Sequence, residues 1–207
     1  MTVKVAVIFY SATGAVRALA EAVAAGAASA GAEVRLRRVA DLATAEPATG
    51  EPATAAPATA ARTTTTQATA EPVTAALEDL AWADAFAFGT PTRFGTPAAQ
   101  LKQFIDGSVE LWREGRLADK PVTAFTSAHN RHGGSEATIL SLGNVFYHWG
   151  ALIVPPGYTD PVVYAAGGNP YGTSTTGGIR DDAALAAARY QGRRLAGIAS
   201  RLLAGTR

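Results

Sequence analysis

Five apolar runs along the chain predict five β-strands. Residues 3–10 form an almost continuous run of β-branched and aromatic side chains. Such a run is typical of a parallel strand that is covered on both faces of its sheet. A second run alternates apolar and charged residues, which indicates a strand covered less deeply. The four later runs lie at residues 33–39, 85–88, 121–127 and 151–154.

Segments with apolar residues at helical spacing separate these strands. The pattern predicts helices over residues 15–30, 98–114 and 182–203, a further helix that ends near residues 147–150, and a short turn of helix at 77–84. We expect Asp182 to cap the last helix. Alternation of strands and helices predicts an α/β fold, a flavodoxin-like doubly wound parallel sheet of five strands in the order 2-1-3-4-5 with helices on both faces.

One segment interrupts this pattern. From residue 43 to about residue 76 the composition falls to Ala, Thr, Pro and Glu, and short Pro-Ala-Thr units recur at intervals of five residues. Such a composition cannot build a packed core. We therefore interpret residues 1–207 as a single domain that carries a low-complexity insertion in a surface loop.

Polar loops follow the first, third and fourth strands, at the edge of the sheet where ligands bind in this class of fold. Residues 11–16 place hydroxyl groups and a glycine before a helix, which favours an anion at the helix N-terminus. In residues 89–97, Thr90, Thr92 and Thr96 offer hydroxyls, Arg93 a cation and Phe94 a ring. A proline-stiffened turn between strand and helix is the alternative interpretation of that segment.

Composition narrows the possible functions. The formal net charge of the 207 residues is +1, without the basic stripe of a nucleic-acid-binding protein. The chain contains no cysteine, which excludes disulfides and thiolate nucleophiles. No apolar run is long enough to cross a bilayer, and the N-terminus shows no targeting pattern. We expect a cytoplasmic protein with no membrane span and no nucleic-acid partner.

Two groups of charged or titratable residues have competing interpretations. Arg35, Arg37 and Arg38 on the second strand suggest either a phosphate contact or, as we favour, a solvated strand face. His129 and His132 have the spacing of some metal ligands, but they lie in a loop with few carboxylates nearby. We expect no metal, and assign the imidazoles to hydrogen bonding.

Three motifs carry a resemblance to a known family. They are Tyr10-Ser11-Ala12-Thr13-Gly14, the segment from Gly89 to Gly95, and His132-Gly133-Gly134-Ser135-Glu136. With His148-Trp149-Gly150, Pro170-Tyr171-Gly172 and the segment from Ala188 to Gly192, they resemble the flavodoxin-like NAD(P)H:quinone oxidoreductases of the WrbA type. The similarity spans the chain apart from the insertion.

The resemblance implies bound FMN, with NAD(P)H as co-substrate. It implies phosphate contacts from Ser11, Thr13, Gly14, Ala15 and Val16, and isoalloxazine contacts from Pro91, Thr92, Arg93, Phe94 and Gly95. It implies that Ser127, Ala128, His129, Asn130, Arg131, His132 and Gly133 close over the ring and ribityl chain. It places His148 near the flavin, with His148 and Arg93 as candidate catalytic residues, and Thr13, Phe94 and Trp112 as candidate contacts of the nicotinamide and quinone substrates.

The resemblance also implies two-electron reduction of quinones by NAD(P)H with ping-pong kinetics, in a homodimer or homotetramer whose pockets are completed between subunits. Thr13 stands where the family often has an aromatic residue, and residues 128–132 replace a run of Thr and Gly. These departures leave the donor preference open. A one-electron carrier is the alternative function, although carriers of this fold surround their flavin with carboxylates. An inert scaffold would need decayed flavin loops, and here only the fourth-strand loop is altered.

Overall fold

The computed structural model describes residues 2–42, 72–177 and 181–205. The strands are β1 (Lys4–Phe9), β2 (Glu33–Arg38), β3 (Ala85–Arg93), β4 (Thr96–Pro97), β5 (Pro121–Ala128), β6 (Leu152–Ile153) and β7 (Ser174–Thr176). The helices are α1 (Ala15–Ser29), α2 (Leu77–Trp82), α3 (Ala99–Asp106), α4 (Val109–Arg113), α5 (Ser135–Trp149), α6 (Pro161–Ala165) and α7 (Asp182–Gly205).

The sheet has the order β2-β1-β3-β5-β6, and all of these strands are parallel. This confirms the predicted fold and its order 2-1-3-4-5. Two short strands were not predicted. β4 pairs with the end of β3 in an antiparallel hairpin, and β7 pairs with the carboxyl end of β5, beyond the point where β6 ends.

Alternate residues of each central strand pack against different helices. One side of β1 and β3 faces α1 and α7, and the other side faces α3 and α5. Both sides are fully buried, because helices cover the sheet on both faces. This double cover explains the continuous apolar run of the first strand.

Helices α3 and α4 replace the single helix predicted over residues 98–114. The break lies at Gly107 and Ser108, where the Ser108 hydroxyl donates to the carbonyl of Ile105 at 2.7 Å. A glycine followed by a serine that satisfies a helix carbonyl ends a helix readily, so the prediction of one continuous helix was wrong.

The cap of the last helix is also one residue earlier than expected. The carboxylate of Asp181 accepts from the backbone N–H of Ala184 at 3.0 Å, and its carbonyl accepts from Leu185. Asp182 is instead the first helical residue. The prediction of Asp182 as N-cap was therefore wrong, because two adjacent aspartates offer the same side chain at both positions.

Residues 43–71 of the predicted insertion lie outside the described residues. The residues that follow are ordered against the end of β2: the Arg38 N–H donates to Val73 at 3.0 Å, and Ala75 donates to Arg38 at 2.8 Å. Thr74 thus forms a bridge beside Arg38. The two ends of the insertion leave the domain at one place on the sheet.

The arginines of β2 are paired with acidic side chains. Asp79 of α2 is buried and accepts from Arg35 at 3.1 Å and from Arg37 at 3.0 Å. Arg38 donates to Asp41 at 2.9 Å. The interpretation of a merely solvated face was therefore incomplete, because these pairs attach α2 to the edge of the sheet. No helix among the described residues is long and apolar enough to span a membrane.

Candidate functional site

The loops after β1, β3 and β5 meet in one cleft of about 650 Å³ at the carboxyl edge of the sheet. The chain runs from β1 to β2 on one side and reaches β3 on the other, so the cleft lies at the topological switch point. A cleft of this size is within the usual range for small-molecule and cofactor sites. Its walls are Ala12, Thr13, Ala15, Pro91, Thr92, Arg93, Ser127, Ala128, His129, Thr175 and Gly177.

The first loop presents the N-terminus of α1 to this cleft. Gly14 precedes the helix with φ 97°, a left-handed conformation that favours glycine. The Ser11 hydroxyl accepts from the N–H groups of Gly14 at 3.1 Å and Arg17 at 3.3 Å. Within the described residues, the N–H groups of Ala15 and Val16 have no partner. They point from the positive end of a 15-residue helix, an arrangement suited to a phosphate.

The central segment is a β-hairpin rather than the predicted loop. β3 continues as far as Arg93, and Arg93 pairs with Thr96 of β4 across two turn residues. Phe94 and Gly95 have φ values of 50° and 78°, as a type I′ turn requires. A left-handed phenylalanine costs about 1 kcal/mol relative to ordinary conformations. The Phe94 ring is fully exposed at the tip of this short hairpin.

Of the three hydroxyls predicted there, only that of Thr92 lies on the cleft. Thr90 is completely buried, and its hydroxyl accepts from the N–H of Ala98 at 2.9 Å. Thr96 donates to the carbonyl of Arg93 at 2.8 Å, within the turn. The hydroxyls of Thr90 and Thr96 thus form hydrogen bonds with backbone groups. The prediction that they contact a ligand was wrong.

The loop after β5 is divided between two clefts. Ser127, Ala128 and His129 line the main cleft. A turn follows, in which Gly133 donates its N–H to the carbonyl of Asn130 at 3.0 Å. Arg131 and His132 line a neighbouring polar cleft of about 440 Å³, together with Ser135, Glu136 and Thr175.

Trp112 and His148 lie together, away from the cleft of the same chain. The indole N–H of Trp112 donates to the backbone carbonyl of His148 at 2.8 Å. Both side chains line a groove of about 510 Å³ between the α3–α4 segment and α5. Trp112 is 46% exposed, so a large part of its ring faces out of the domain.

The polar surroundings of the cleft are positive. Arg93 and His129 are its only titratable wall residues among those described, and no described carboxylate lines it. Beside it, Tyr10 has a pKa above its usual value of 10.0, chiefly because it is buried and then because it hydrogen-bonds to Asp41. The hydrogen bond from Arg38 lowers the pKa of the Asp41 carboxyl. Because Arg93 is on the wall and no described carboxylate is, an anionic ligand would meet little repulsion from the wall itself.

Three wall residues were not predicted: Ala12, Thr175 and Gly177. Ala12 lies between Ser11 and Thr13, two residues that were predicted. Thr175 reaches the cleft because β7 pairs beside β5, with Thr175 opposite Ser127. The only sequence signal was the loop rich in Gly, Pro, Asn and Thr, whose length exceeds what a simple connection needs.

Comparison with known proteins defines the class. The sequence profile of NADPH-dependent FMN reductases matches residues 3–160. The fold is flavodoxin-like, and the chain belongs to the NADPH-dependent FMN reductase family. This confirms the family resemblance found in the sequence.

Two relatives match this chain over almost the full length of both proteins. A protein of Deinococcus radiodurans named NAD(P)H dehydrogenase (quinone) is 40% identical over 205 residues, covering 97% of this chain and 98% of the relative. A protein of the same name from Syntrophobacter fumaroxidans is 41% identical over 209 residues, covering 96% and 98%.

Solved structures show the same fold. A WrbA-like flavodoxin from Agrobacterium tumefaciens superposes with a TM-score of 0.66 at 23% identity, covering 97% of this chain and 99% of that protein. A flavodoxin from an archaeon gives a TM-score of 0.62 at 18% identity, covering 95% and 99%. At these identities the likeness concerns the fold alone.

Proposed function

We propose that the protein reduces quinones with NAD(P)H, using FMN held in the cleft at the carboxyl edge of the sheet. The relatives at about 40% identity are named for this activity. The observation that supports it most directly is the cleft itself, which joins a phosphate-binding helix end to an open volume of about 650 Å³. When bound, FMN accepts two electrons from NAD(P)H and passes them to the quinone.

The chain's own residues divide the work of binding this cofactor. The free N–H groups of Ala15 and Val16, with the Ser11 and Thr13 hydroxyls, would hold the phosphate. Pro91 and Thr92 would lie along the ring, and residues 127–129 would cover it from the side of β5. This set fits one phosphate, because in the part of the chain that the structure describes only the N-terminus of α1 opens into the cleft.

Arg93 is the candidate for stabilising negative charge during the reaction. It lies on the cleft wall next to the exposed ring of Phe94. A guanidinium cation there favours an anion in the cleft, and negative charge develops on the flavin and quinone during two-electron transfer. The exposed Phe94 ring would provide an apolar wall for whichever substrate occupies the cleft.

A one-electron carrier remains the second candidate, because flavodoxins share the fold. The charge of the cleft favours the reductase, since carboxylates around a flavin would oppose a second electron and none is found on the described walls. Reductive titration distinguishes the two functions. Two separated one-electron steps would favour the carrier.

We further propose that His148 and Trp112 complete the cleft of another subunit in a homodimer or homotetramer. In one chain they lie in a groove outside the cleft, where Val109 and Trp112 are exposed apolar or aromatic side chains. Exposed groups of this kind are typical of association surfaces. His148→Ala should slow quinone reduction by about tenfold to a thousandfold, the range for loss of a hydrogen-bond donor or proton relay, while FMN stays bound.

Mixing two slow variants tests whether Arg93 and His148 from different subunits form one site. Arg93→Ala and His148→Ala chains should each be slow alone, but random mixed oligomers should recover activity at about a quarter of their sites, since a C2 or related interface pairs residues from different subunits. Recovery indistinguishable from either parent would show that His148 does not act across an interface.

Two measurements test the proposed function as a whole. FMN should bind more tightly than about 1 mM, and weaker binding in a titration would exclude it as the cofactor. Initial rates with NAD(P)H and a quinone should give parallel double-reciprocal lines, because both substrates need the same face of the ring and must bind in turn. Intersecting lines would contradict the ping-pong order.

A further inference from the structure

A chain of threonine hydroxyls connects the cleft to the buried start of α5. The Thr92 hydroxyl oxygen lies 3.1 Å from that of Thr126 and 3.1 Å from that of Thr138. Thr126 and Thr138 are completely buried, whereas Thr92 lies on the cleft wall. The three residues come from β3, β5 and α5, so this contact exists only in the folded domain.

The chain has a defined direction. A hydroxyl carries one proton and can accept two hydrogen bonds. Thr126 donates its proton to the backbone carbonyl of Thr90 at 2.6 Å, so it cannot also donate to Thr92. Thr138 donates to Thr92. The Thr92 proton must therefore point inward, to Thr126, for the contact between them to be a hydrogen bond.

This direction limits what Thr92 can do in the cleft. Its proton is used by Thr126 and one lone pair by Thr138, which leaves one lone pair for a ligand. We propose that Thr92 acts as a hydrogen-bond acceptor for an N–H group of the flavin ring, and that Thr126 is the positioning residue that keeps it in this state. The proposal rests on the proposed function, because it takes FMN as the ligand.

Two N–H groups could make this bond. The N3–H group is present in both oxidised and reduced FMN, whereas the N5–H group is present only after two-electron reduction. A bond to N3–H would contribute to the binding of both forms. A bond to N5–H would favour the reduced form alone and would raise the midpoint potential of bound FMN.

The test compares two buried threonines of the chain. Thr126→Val removes the acceptor of the Thr92 proton, so that proton can turn toward the ligand, where a donor would face a donor. Thr138→Val removes only the hydrogen bond that Thr92 accepts from Thr138, and the Thr92 hydroxyl still donates to Thr126. Both substitutions keep the shape of the side chain, but Thr126→Val also removes the hydrogen bond that the Thr90 carbonyl accepts, so the retention of the hydroxyl in Thr126→Ser is the matched control for that loss.

If the donor is N3–H, we expect Thr92→Val and Thr126→Val to raise the Kd of FMN by about threefold to tenfold, the usual effect of one lost hydrogen bond, measured by quenching of flavin fluorescence. Thr138→Val should stay within about twofold of wild type, less than the loss of one bond. Thr96→Val is the control on the same hairpin, since that hydroxyl bonds only within its own turn. Thr126→Ser restores the hydroxyl and should restore wild-type binding.

Two further measurements identify the N–H group. If Thr92 accepts from N3–H, changing FMN to 3-methyl-FMN should cost wild type more affinity than it costs Thr92→Val. If it accepts from N5–H, Thr92→Val should leave the Kd of oxidised FMN unchanged and lower the midpoint potential, by about 30 mV for a tenfold effect on a two-electron couple.

The outcomes separate this proposal from the function on which it rests. Failure of the wild-type protein to bind FMN would overturn both. Normal FMN binding with equal effects of Thr126→Val and Thr138→Val would overturn the directed chain alone. Unchanged Kd and unchanged midpoint potential in Thr92→Val would do the same. Thermal melting of each variant verifies that it is folded, and Thr126→Ala, which also lacks the hydroxyl, replaces Thr126→Val if that variant is not.

Discussion

The two faces of the sheet are packed by opposite means. On the side of α1 and α7, the two helix backbones touch: a Cβ atom at Gly26 would lie 2.0 Å from the carbonyl oxygen of Arg189, and one at Gly192 would lie 2.0 Å from that of Val23. The two helices can approach this closely because Gly26 and Gly192 have no side chain. We call this side the glycine face.

On the side of α3 and α5, bulk fills the space. Phe86, Phe88, Phe146 and Trp149 form a cluster with ring centroids 5.6 to 6.3 Å apart. We call this side the aromatic face. The comparison teaches that the two faces of one sheet can respond differently to mutation. Substitutions that add atoms should destabilise the glycine face, and substitutions that remove atoms should destabilise the aromatic face.

Removing a ring from the aromatic face should have the largest effect. Phe88 is completely buried and contacts Phe146 and Trp149. Phe88→Ala should lower the free energy of unfolding by about 4 kcal/mol, since it loses both transfer free energy and packing around a cavity. Urea denaturation measures this. Leu140→Ala on the half-exposed side of α5 is the control and should cost about 1 kcal/mol or less.

Adding one carbon to the glycine face should come next. Gly192→Ala forces its new methyl group against the backbone of α1, which cannot yield without separating the helices, and should cost about 3 kcal/mol. Gly197→Ala in the same helix meets nothing within 4 Å and should stabilise by up to about 1 kcal/mol through helix propensity. Equal effects of the two substitutions in urea melts would refute the difference between the faces.

Deleting residues 44–69 should affect neither face. The chain leaves and re-enters the domain beside Arg38 and Thr74, which pair on either side of the deleted segment. Closing a shorter loop changes the free energy of unfolding by about 1 kcal/mol. The melting temperature should therefore fall by less than about 10 °C, and a larger fall in calorimetry would show that the segment packs on the domain.

The smallest effect concerns Tyr10, at the edge of the aromatic face. Burial first, and then the hydrogen bond to Asp41, raises the pKa of Tyr10 above 10.0 in the folded state. As the pH rises, the unfolded chain loses this proton before the folded protein does, so the contribution of Tyr10 to stability is complete below pH 10.0 and is lost as the pH rises through the folded pKa.

The urea concentration at the midpoint of unfolding should fall with rising pH above pH 10. Tyr10→Phe should make that fall smaller, because phenylalanine has no proton to lose. Asp41→Ala, at an exposed position, should bring the tyrosinate titration in ultraviolet difference spectra closer to 10.0. An unchanged titration in Asp41→Ala would show that burial alone causes the shift.

The sequence predicted the parts of the fold that depend on local pattern. β1 and α1 agree with their predicted ranges to within one residue, because a long apolar run and a clear stop at Gly31 mark them. β7 was missed because a three-residue strand in a Gly- and Thr-rich loop forms only by pairing with β5. The contact between Gly26 and α7 could not be predicted for the same reason. In the sequence alone, a glycine inside a helix only lowers the expected stability of that helix, and its partner helix is unknown.

The site shows the same limit. Polar residues after three buried strands were enough to predict the edge of the sheet, and the family resemblance named eight of the residues that line the cleft there. The position of His148 outside the cleft, and the chain of hydroxyls behind Thr92, depend on how helices pack and could not be predicted from spacing. The roles assigned to individual site residues stay predictions until the variants are measured.

The contact between α1 and α7 also bears on how the protein is made. α1 and α7 are far apart in the sequence, yet each provides the surface on which the other packs. Residues 182–205 must therefore leave the ribosome before the glycine face can close. Until then α1 alone covers that side of the sheet, a state in which a nascent chain is open to misassociation. We expect C-terminally truncated chains that lack α7 to depend on chaperones or to be degraded.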